Sequence, residues 1–395
     1  MSIKSPFDEK EFLARHDRVR ERMRADGLDA VIAYSNAKAK GCVRYLSNYF
    51  VRFTGAQTKR DGSYFQFGSC AVLFPVDGEP RLLTDQPWDI ERAKELSIFS
   101  DTAYAENFGT DFGDRIAQAG YKRVGIDNWF LFPAMHYLGL TERAAGVEYV
   151  PTPLIEQTYK IKSPREIELV RKAEDVAVKA IEEAKAAVGV GVREFDFALA
   201  CDYALRKYGD LEVAGSAIVS GGPNTATGSG LPTQEDSYTM KAGDWALFDV
   251  CPGYEGYAGD ISRMVVAGSI SDLDPKLKRM YDVTRELNER VIDAIKPGVT
   301  PWALNKMAIE IADRTEFGQY KIDLLGHSLG PDIHDPPDYY YDDAPLEENM
   351  TITVEPCLLW PGVAGTRVED VVLVTADGCE VLSAASHKDL RGTDD

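Results

Sequence analysis

Five side chains with metal-binding donors constrain this chain more than any other feature: Asp249, Asp260, His327, Glu355 and Glu369. Each stands in a short stretch that carries strand or turn signals. Asp249 follows the apolar run Trp245–Phe248, and Asp260 lies eleven residues on, so the two bracket VCPGYEGYAG. A hairpin over that segment would bring both carboxylates to one point. His327 follows Gly326 in GHSLG, Glu355 follows the apolar stretch TITV, and Glu369 lies within the strand-like TRVEDVVLV. Taken alone, the aspartates read equally well as solvated turn residues, and His327 as a surface or core histidine. The two glutamates are harder to dismiss, because glutamates in apolar strands are rare unless paired. Carboxylates forced together repel unless a cation lies between them. As a set, four carboxylates and one imidazole are what two hard divalent cations require, and Mn, Fe, Co and Zn are all compatible.

The rest of the composition narrows the class. At 395 residues the chain is long enough for two domains with substantial cores. A formal net charge of −20 argues against nucleic-acid binding, which needs a basic face. No run of about 18 apolar residues could span a membrane, and the charged N-terminus lacks the apolar core of a signal peptide. The six cysteines (Cys42, Cys70, Cys201, Cys251, Cys357 and Cys379) are scattered. They read as reduced, mostly buried thiols of a cytoplasmic protein. Cys251 and Cys357 each lie two residues from a candidate ligand, and both read as small core side chains rather than soft ligands.

Along the chain, residues to about 158 alternate helical and strand patterns. Phe7–Asp26 is an amphipathic helix, AVIAY from Ala30 is a buried strand, SCAVLF and PRLLT flank a VDG turn, and RVGID from Arg123 is a further strand. After a polar connection, Ser163, Pro164 and Glu166 form a helix start with a capping box. Apolar residues from Ile167 to Val188 then recur on one face, and Gly189 and Gly191 end the pattern. A second helix covers Phe195–Tyr208, and Ser220–Gly230 reads as a loop. Trp245–Val250 and Tyr257–Ala267 read as strands, Pro275–Ile295 and Pro301–Arg314 as helices, and Met350–Val354, Thr366–Val374 and Glu380–Ser383 as closing strands.

The ordered motifs D-x10-D, G-H-x-x-G and R-x-E-D, with the helix IKSPREIELVRKA ahead of them, resemble those of the creatinase/prolidase/aminopeptidase P family of pita-bread-fold metallohydrolases. The likeness covers about residues 160–385, and the N-terminal region is similar to that family's smaller domain. The resemblance implies an α+β fold, with a small mixed α/β domain over residues 1–158. A catalytic domain with a curved antiparallel sheet and covering helices would occupy residues 159–395. It implies a dinuclear-metal hydrolase of C–N bonds in small substrates, Xaa-Pro peptidase-like, with a metal-bridging hydroxide as nucleophile. On this resemblance Asp249 and Asp260 are paired ligands and His327 the imidazole ligand. Glu355 is a ligand and general base, and Glu369 bridges the ions. His334, in IHDPP, corresponds to a histidine that stabilises the reacting carbonyl oxygen, and Arg367 to an arginine that hydrogen-bonds within the site. Two divalent ions (manganese first, with cobalt, zinc or iron as alternatives), a dipeptide or other small substrate and a homodimer follow from the same resemblance.

The chain departs from the family at one position. Proline peptidases and creatinases carry a histidine at the end of the loop that opens S-G-x-N, and here that position falls near Ser229. No histidine lies between His136 and His327. Losing a proton shuttle costs about 10²–10⁴ in rate unless another group replaces it; Ser229, Tyr254 and Tyr257 are the nearby replacements. The departure motivates a second reading, in which the chemistry has moved to a non-peptide substrate, as in a creatinase-like amidinohydrolase, an ectoine-hydrolase-like enzyme or an osmolyte lyase. A non-catalytic binding module on the same fold is the third. Two further segments could serve substrate binding or could be solvated loops: Asn48–Gln66, with Arg52, Lys59 and Arg60, and the tyrosine-rich run Asp335–Asp343.

Overall fold

The computed structural model describes residues 5–58, 60, 62, 64–210, 217–228, 230, 232–235, 237–338 and 343–395. Lys59, Ser229 and residues 339–342 therefore lie outside the described residues. The chain divides into two compact units, the first ending at Tyr159 and the second beginning at Lys160. No helix among the described residues is long and apolar enough to cross a membrane.

The first unit runs α1 (Glu9–Ala25), β1 (Ala30–Asn36), α2 (Gly41–Ser47), β2 (Gly55–Thr58), β3 (Tyr64–Phe67), β4 (Ser69–Pro75), β5 (Arg81–Thr84), α3 (Ile90–Leu96), β6 (Asp101–Tyr104), α4 (Phe108–Ala119), β7 (Arg123–Asp127), α5 (Ala134–Arg143), β8 (Glu148–Pro151) and α6 (Leu154–Tyr159). The first helix begins at Glu9 rather than Phe7 because the Asp8 carboxylate caps the Glu11 N–H. The main sheet is mixed, in the order β6-β5-β4-β1-β7-β8. Its central strands β1 and β4 are buried along nearly their whole length because both faces are covered, whereas the edge strands β6 and β8 are partly exposed. Val31, Ala33, Val72 and Phe74 join one core with Val19 and Met23 of α1, whereas Ala30, Ile32, Ala71 and Leu73 join another with Phe108, Phe112 and Leu140. The VDG segment does connect an antiparallel pair, with Leu73 opposite Arg81.

The second unit runs α7 (Pro164–Lys185), α8 (Glu194–Tyr208), β9 (Ile218–Gly221), β10 (Trp245–Val250), β11 (Gly253–Tyr254), β12 (Tyr257–Ala258), β13 (Ile261–Val266), α9 (Pro275–Ala294), α10 (Pro301–Ala312), β14 (His327–Ser328), β15 (Asp335–Asp338), β16 (Thr351–Val354), β17 (Cys357–Trp360), β18 (Ala364–Arg367), β19 (Asp370–Val374) and β20 (Cys379–Val381). Two antiparallel sheets, β13-β10-β9 and β15-β14-β16-β19-β20, are joined by a bridge between Ser262 and Glu369. Helices cover one face of each. Ala246, Phe248 and Val250 pack with Ala177, Ile181 and Phe197, and Ile352, Val354, Val372 and Val374 pack with Val291 and Leu304. Because side chains alternate along a strand, Asp249 and Glu355 fall on the opposite faces, away from those helices.

Further expected elements differ, among them Thr366–Val374, which divides into β18 and β19 around Val368 and Glu369. The long helix stops at Lys185, before the glycines, with Ala186 as its C-cap. The 220–230 loop contains the end of β9 and a 3₁₀ helix, Gly222–Thr227, whose approach is fixed by Glu194: its carboxylate accepts from the Gly221 N–H at 2.6 Å and the Asn224 side chain at 2.9 Å. The strand expected over Tyr257–Ala267 is broken between β12 and β13. There Gly259 packs against α7 so closely that a Cβ would lie 2.8 Å from the Ala173 backbone, and the Asp260 N–H turns to Glu174 instead of a neighbouring strand.

Candidate metal centre

The five candidate ligands meet at the junction of the two sheets. Asp249 is the penultimate residue of β10 and Asp260 lies in the break before β13. His327 opens β14, Glu355 directly follows β16, and Glu369 sits between β18 and β19 at the bridge to Ser262. All five are buried, with exposures between 1% and 6%. Asp249 is paired with Ser262 rather than with Asp260, so the carboxylates converge because the returning strand is interrupted, not because they face each other in a hairpin. His327 Nε2 lies 3.4 Å from Glu355 Oε1 and 3.7 Å from Asp260 Oδ2. Donor atoms of Asp260, His327 and Glu369 all lie within 4.8 Å of one another, as do those of Asp249, Cys251 and Asp260.

Local backbone chemistry aims the imidazole. Gly326 has φ 152°, and a Cβ there would lie 2.5 Å from the Thr353 carbonyl oxygen, so only glycine brings the chain this close. The His327 N–H donates to Thr353 Oγ1 at 3.1 Å, and Nδ1 lies 3.0 Å from the Ser328 carbonyl. That carbonyl can only accept, so Nδ1 carries the ring proton and Nε2 presents its lone pair to the carboxylates. Burial favours this neutral form by lowering the histidine's proton affinity.

The electrostatics set the buried carboxylates against one another. Burial first, and then the neighbouring Asp249 and Glu355 charges, hold Asp260 far above the usual carboxylate range. Burial and the charges of Asp260, Glu355 and Asp249 do the same to Glu369. Glu355 is raised to about 7, chiefly by burial, with Arg367 opposing the rise and Asp249 adding to it. Glu369 Oε2 accepts from Ser262 Oγ at 2.7 Å, but Oε1 is buried without a hydrogen-bond partner among the described residues. An orphaned oxygen among like charges is costly unless something positive completes it. Oxygen donors plus one neutral imidazole nitrogen suit a divalent ion of the Mn–Zn series.

Arg367 and His334 border the cluster. The Arg367 guanidinium donates to Asp249, to Cys357 Sγ (2.9 Å) and to the Gly228 carbonyl (3.2 Å), and lies 3.8 Å from Glu355. His334 is exposed, with its ring centroid 4.2 Å from that of His327. Two expectations need correction. Cys251 is not a core side chain: it is only partly buried, and its thiol donates to Asp260 Oδ1 at 3.3 Å. Tyr257 is buried and its hydroxyl donates to Glu166 Oε1 at 2.6 Å, which commits it away from proton transfer to a substrate. Glu174 escaped notice. Its Oε1 accepts the Asp260 N–H at 2.7 Å, and its Oε2 is buried without a hydrogen-bond partner among the described residues. The signal was present, because Glu174 lies four residues after Val170 and three before Ala177 on the buried face of α7.

A sequence model described as Metallopeptidase family M24 matches residues 168–376, more than half of the chain and all five candidate ligands. The chain belongs to that family. The enzyme's first unit matches, over residues 15–158, a model of the creatinase/prolidase N-terminal domain. A Xaa-Pro dipeptidase of Pyrococcus horikoshii is 31% identical over 370 residues, 93% of this chain and 96% of that protein. Another Xaa-Pro dipeptidase, of Pyrococcus furiosus, is 34% identical over 229 residues, which are 58% of this chain and 64% of that relative, just under two thirds of its length. The solved prolidase structure from P. horikoshii aligns with 94% of this chain and 98% of its own at a TM-score of 0.76 and 26% identity. The α+β pita-bread architecture behind an N-terminal domain is thus that of the enzyme. Membership places it among metal-dependent hydrolases that use divalent ions.

Proposed function

We propose that the enzyme is a dinuclear-metal hydrolase that cleaves the C–N bond of a small substrate, Xaa-Pro dipeptides first. Asp249, Asp260, His327, Glu355 and Glu369 would hold the ions, with manganese the first candidate. One observation carries this reading: buried carboxylates converge on an imidazole lone pair while Glu369 Oε1 has no hydrogen-bond partner among the described residues. When bound, divalent ions acidify water and polarise a carbonyl. The chain's own residues do the rest. Glu355, poised near neutrality by burial, takes the proton of the attacking water and passes it to the leaving nitrogen. His334 is exposed as a residue but its ring is partly covered beside His327, and this covering and then the His327 charge lower its proton affinity, so the neutral ring donates an N–H to the substrate oxygen as negative charge builds there. Arg367 ties Asp249 to the Gly228 carbonyl and so holds that ligand in place.

The test is a panel of Xaa-Pro and Xaa-Ala dipeptides with protein loaded with Mn²⁺, Co²⁺ or Zn²⁺. Hydrolysis of Xaa-Pro substrates that stops with chelator is expected; no turnover of any dipeptide with any ion would remove the peptidase reading. The lack of a histidine between His136 and His327 favours a second reading, in which a non-peptide amide or amidine is cleaved by the same groups. Turnover of a creatine-type or cyclic amidine in place of dipeptides would select it.

A further inference from the structure

Cys251 stands two residues after Asp249, so an extended chain turns both side chains to the same side. Its sulfur lies 3.3 Å from Asp260 Oδ1, and donor atoms of Asp249, Cys251 and Asp260 all fall within 4.8 Å of one another. A hydrogen bond accounts for the contact with Asp260, but not for the gathering of Asp249 into the same triad. An ion about 2.3 Å from a sulfur and about 2.1 Å from an oxygen separates the two donors by about 3.1–3.6 Å at the usual angles. The observed 3.3 Å is that separation. Asp260 also belongs to the second triad, with His327 and Glu369, and Glu369 Oε1 is buried with no hydrogen-bond partner among the described residues. Two donor triads that share one carboxylate describe two adjacent ion positions. Cys357, the other thiol near the cluster, is occupied: its sulfur accepts from Arg367 Nε at 2.9 Å and its S–H is directed to the Glu355 carbonyl at 3.3 Å.

We propose that Cys251 is a metal ligand, its sulfur joining Asp249 and Asp260 around one ion while Asp260, His327 and Glu369 hold the other. This rests on the metallohydrolase reading and sharpens it. On binding, the S–H proton leaves to solvent and the freed sulfur lone pair forms the bond to the ion, with no change of oxidation state. A thiolate donor moves the preference of that position from manganese towards zinc, cobalt or ferrous iron.

The experiment is X-ray absorption of the full-length protein loaded with Zn²⁺, paired with near-ultraviolet absorption of the Co²⁺ form. A sulfur shell at about 2.3 Å and a thiolate-to-cobalt charge-transfer band are expected in the wild type. Both should be lost in Cys251→Ser and kept in Cys357→Ser. Ions retained with only oxygen and nitrogen neighbours would overturn the proposal and leave the hydrolase reading intact. A sulfur shell that survives in Cys251→Ser would also overturn it. Failure of the wild type to retain either ion would overturn both. If Cys251→Ser does not fold, Cys357→Ser still decides: a sulfur shell kept in that variant supports Cys251, and one lost there overturns the proposal.

Discussion

Each unit of the molecule buries carboxylates, and they are treated in opposite ways. In the first unit Asp127 gives one oxygen to the Asn128 N–H at 3.0 Å and the other to the Ile155 N–H at 2.6 Å, at the start of α6. Asp85 likewise accepts from the Gly68 and Ser69 amides. Those carboxylates are completed by the backbone and act as clamps between segments. In the second unit Asp260, Glu355 and Glu369 face each other and an imidazole lone pair. The contrast also appears between sequence neighbours. Asp370 is held by Arg263 at 2.7 Å, Lys388 at 2.6 Å and Ser383 at 2.7 Å, whereas among the described residues the Glu369 carboxylate has Ser262 alone. Burial by itself therefore does not mark a functional carboxylate. What marks one is burial among like charges with no donors to spare.

The largest effects should come from the ligands. Asp260→Ala or Glu369→Ala should abolish metal retention and hydrolysis together, by elemental analysis and assay. Glu355→Gln should lower kcat about 10²–10⁴-fold, the range for a lost general base. Full activity in any of these variants would erase the distinction between the two kinds of carboxylate.

The next effect is opposite in sign in the two units. Asp127→Ala strips acceptors from buried amides and should cost about 1–3 kcal/mol for each amide left unpaired, with metal content unchanged. Asp260→Asn relieves repulsion, so in chelator its melting temperature should exceed that of the wild type. With an ion at about 100 times its Kd the order should reverse, because binding stabilises the wild type by about 2.7 kcal/mol. Melting curves with and without chelator check both.

The pH dependence separates the units as well. Burial, and then the charge of Glu156, raise Asp127 to about 8. Between its unfolded value of about 4 and that folded value, the folded state holds a proton that the unfolded state has lost. Its contribution to stability is greatest below about pH 4 and is lost as the pH rises towards 8. Asp127→Asn should flatten that part of the denaturation profile. In the second unit, protons on Asp260, Glu355 and Glu369 compete with the ions, so metal affinity should rise as the pH passes through about 7, the value for Glu355. The smallest effect should be that of Tyr257→Phe. Loss of its bond to Glu166 costs about 1 kcal/mol, and a fall of a hundredfold in kcat would instead make Tyr257 the missing proton shuttle.

The sequence made the elements and the chemical character of the cluster legible, for two reasons. Strand periodicity put Asp249 and Glu355 next to apolar runs, and the capping box at Ser163 marked the start of α7. It could not show how the ligands converge. That depends on the break at Gly259–Asp260, a long-range contact with α7 that leaves no local turn signal beyond one glycine. The hairpin of β17 and β18 was missed because Pro356 and Gly362 resemble loop punctuation. The roles of Cys251 and Tyr257 depend on partners nine and 91 positions away, which no periodicity reveals.

Metal stoichiometry tests the central claim most directly. Protein stripped with chelator, dialysed against Mn²⁺, Co²⁺ or Zn²⁺ and analysed by elemental mass spectrometry should retain two ions per chain, and the Asp260→Ala and Glu369→Ala variants should lose them. A wild type that retains none, or variants that bind as much as the wild type, would contradict it.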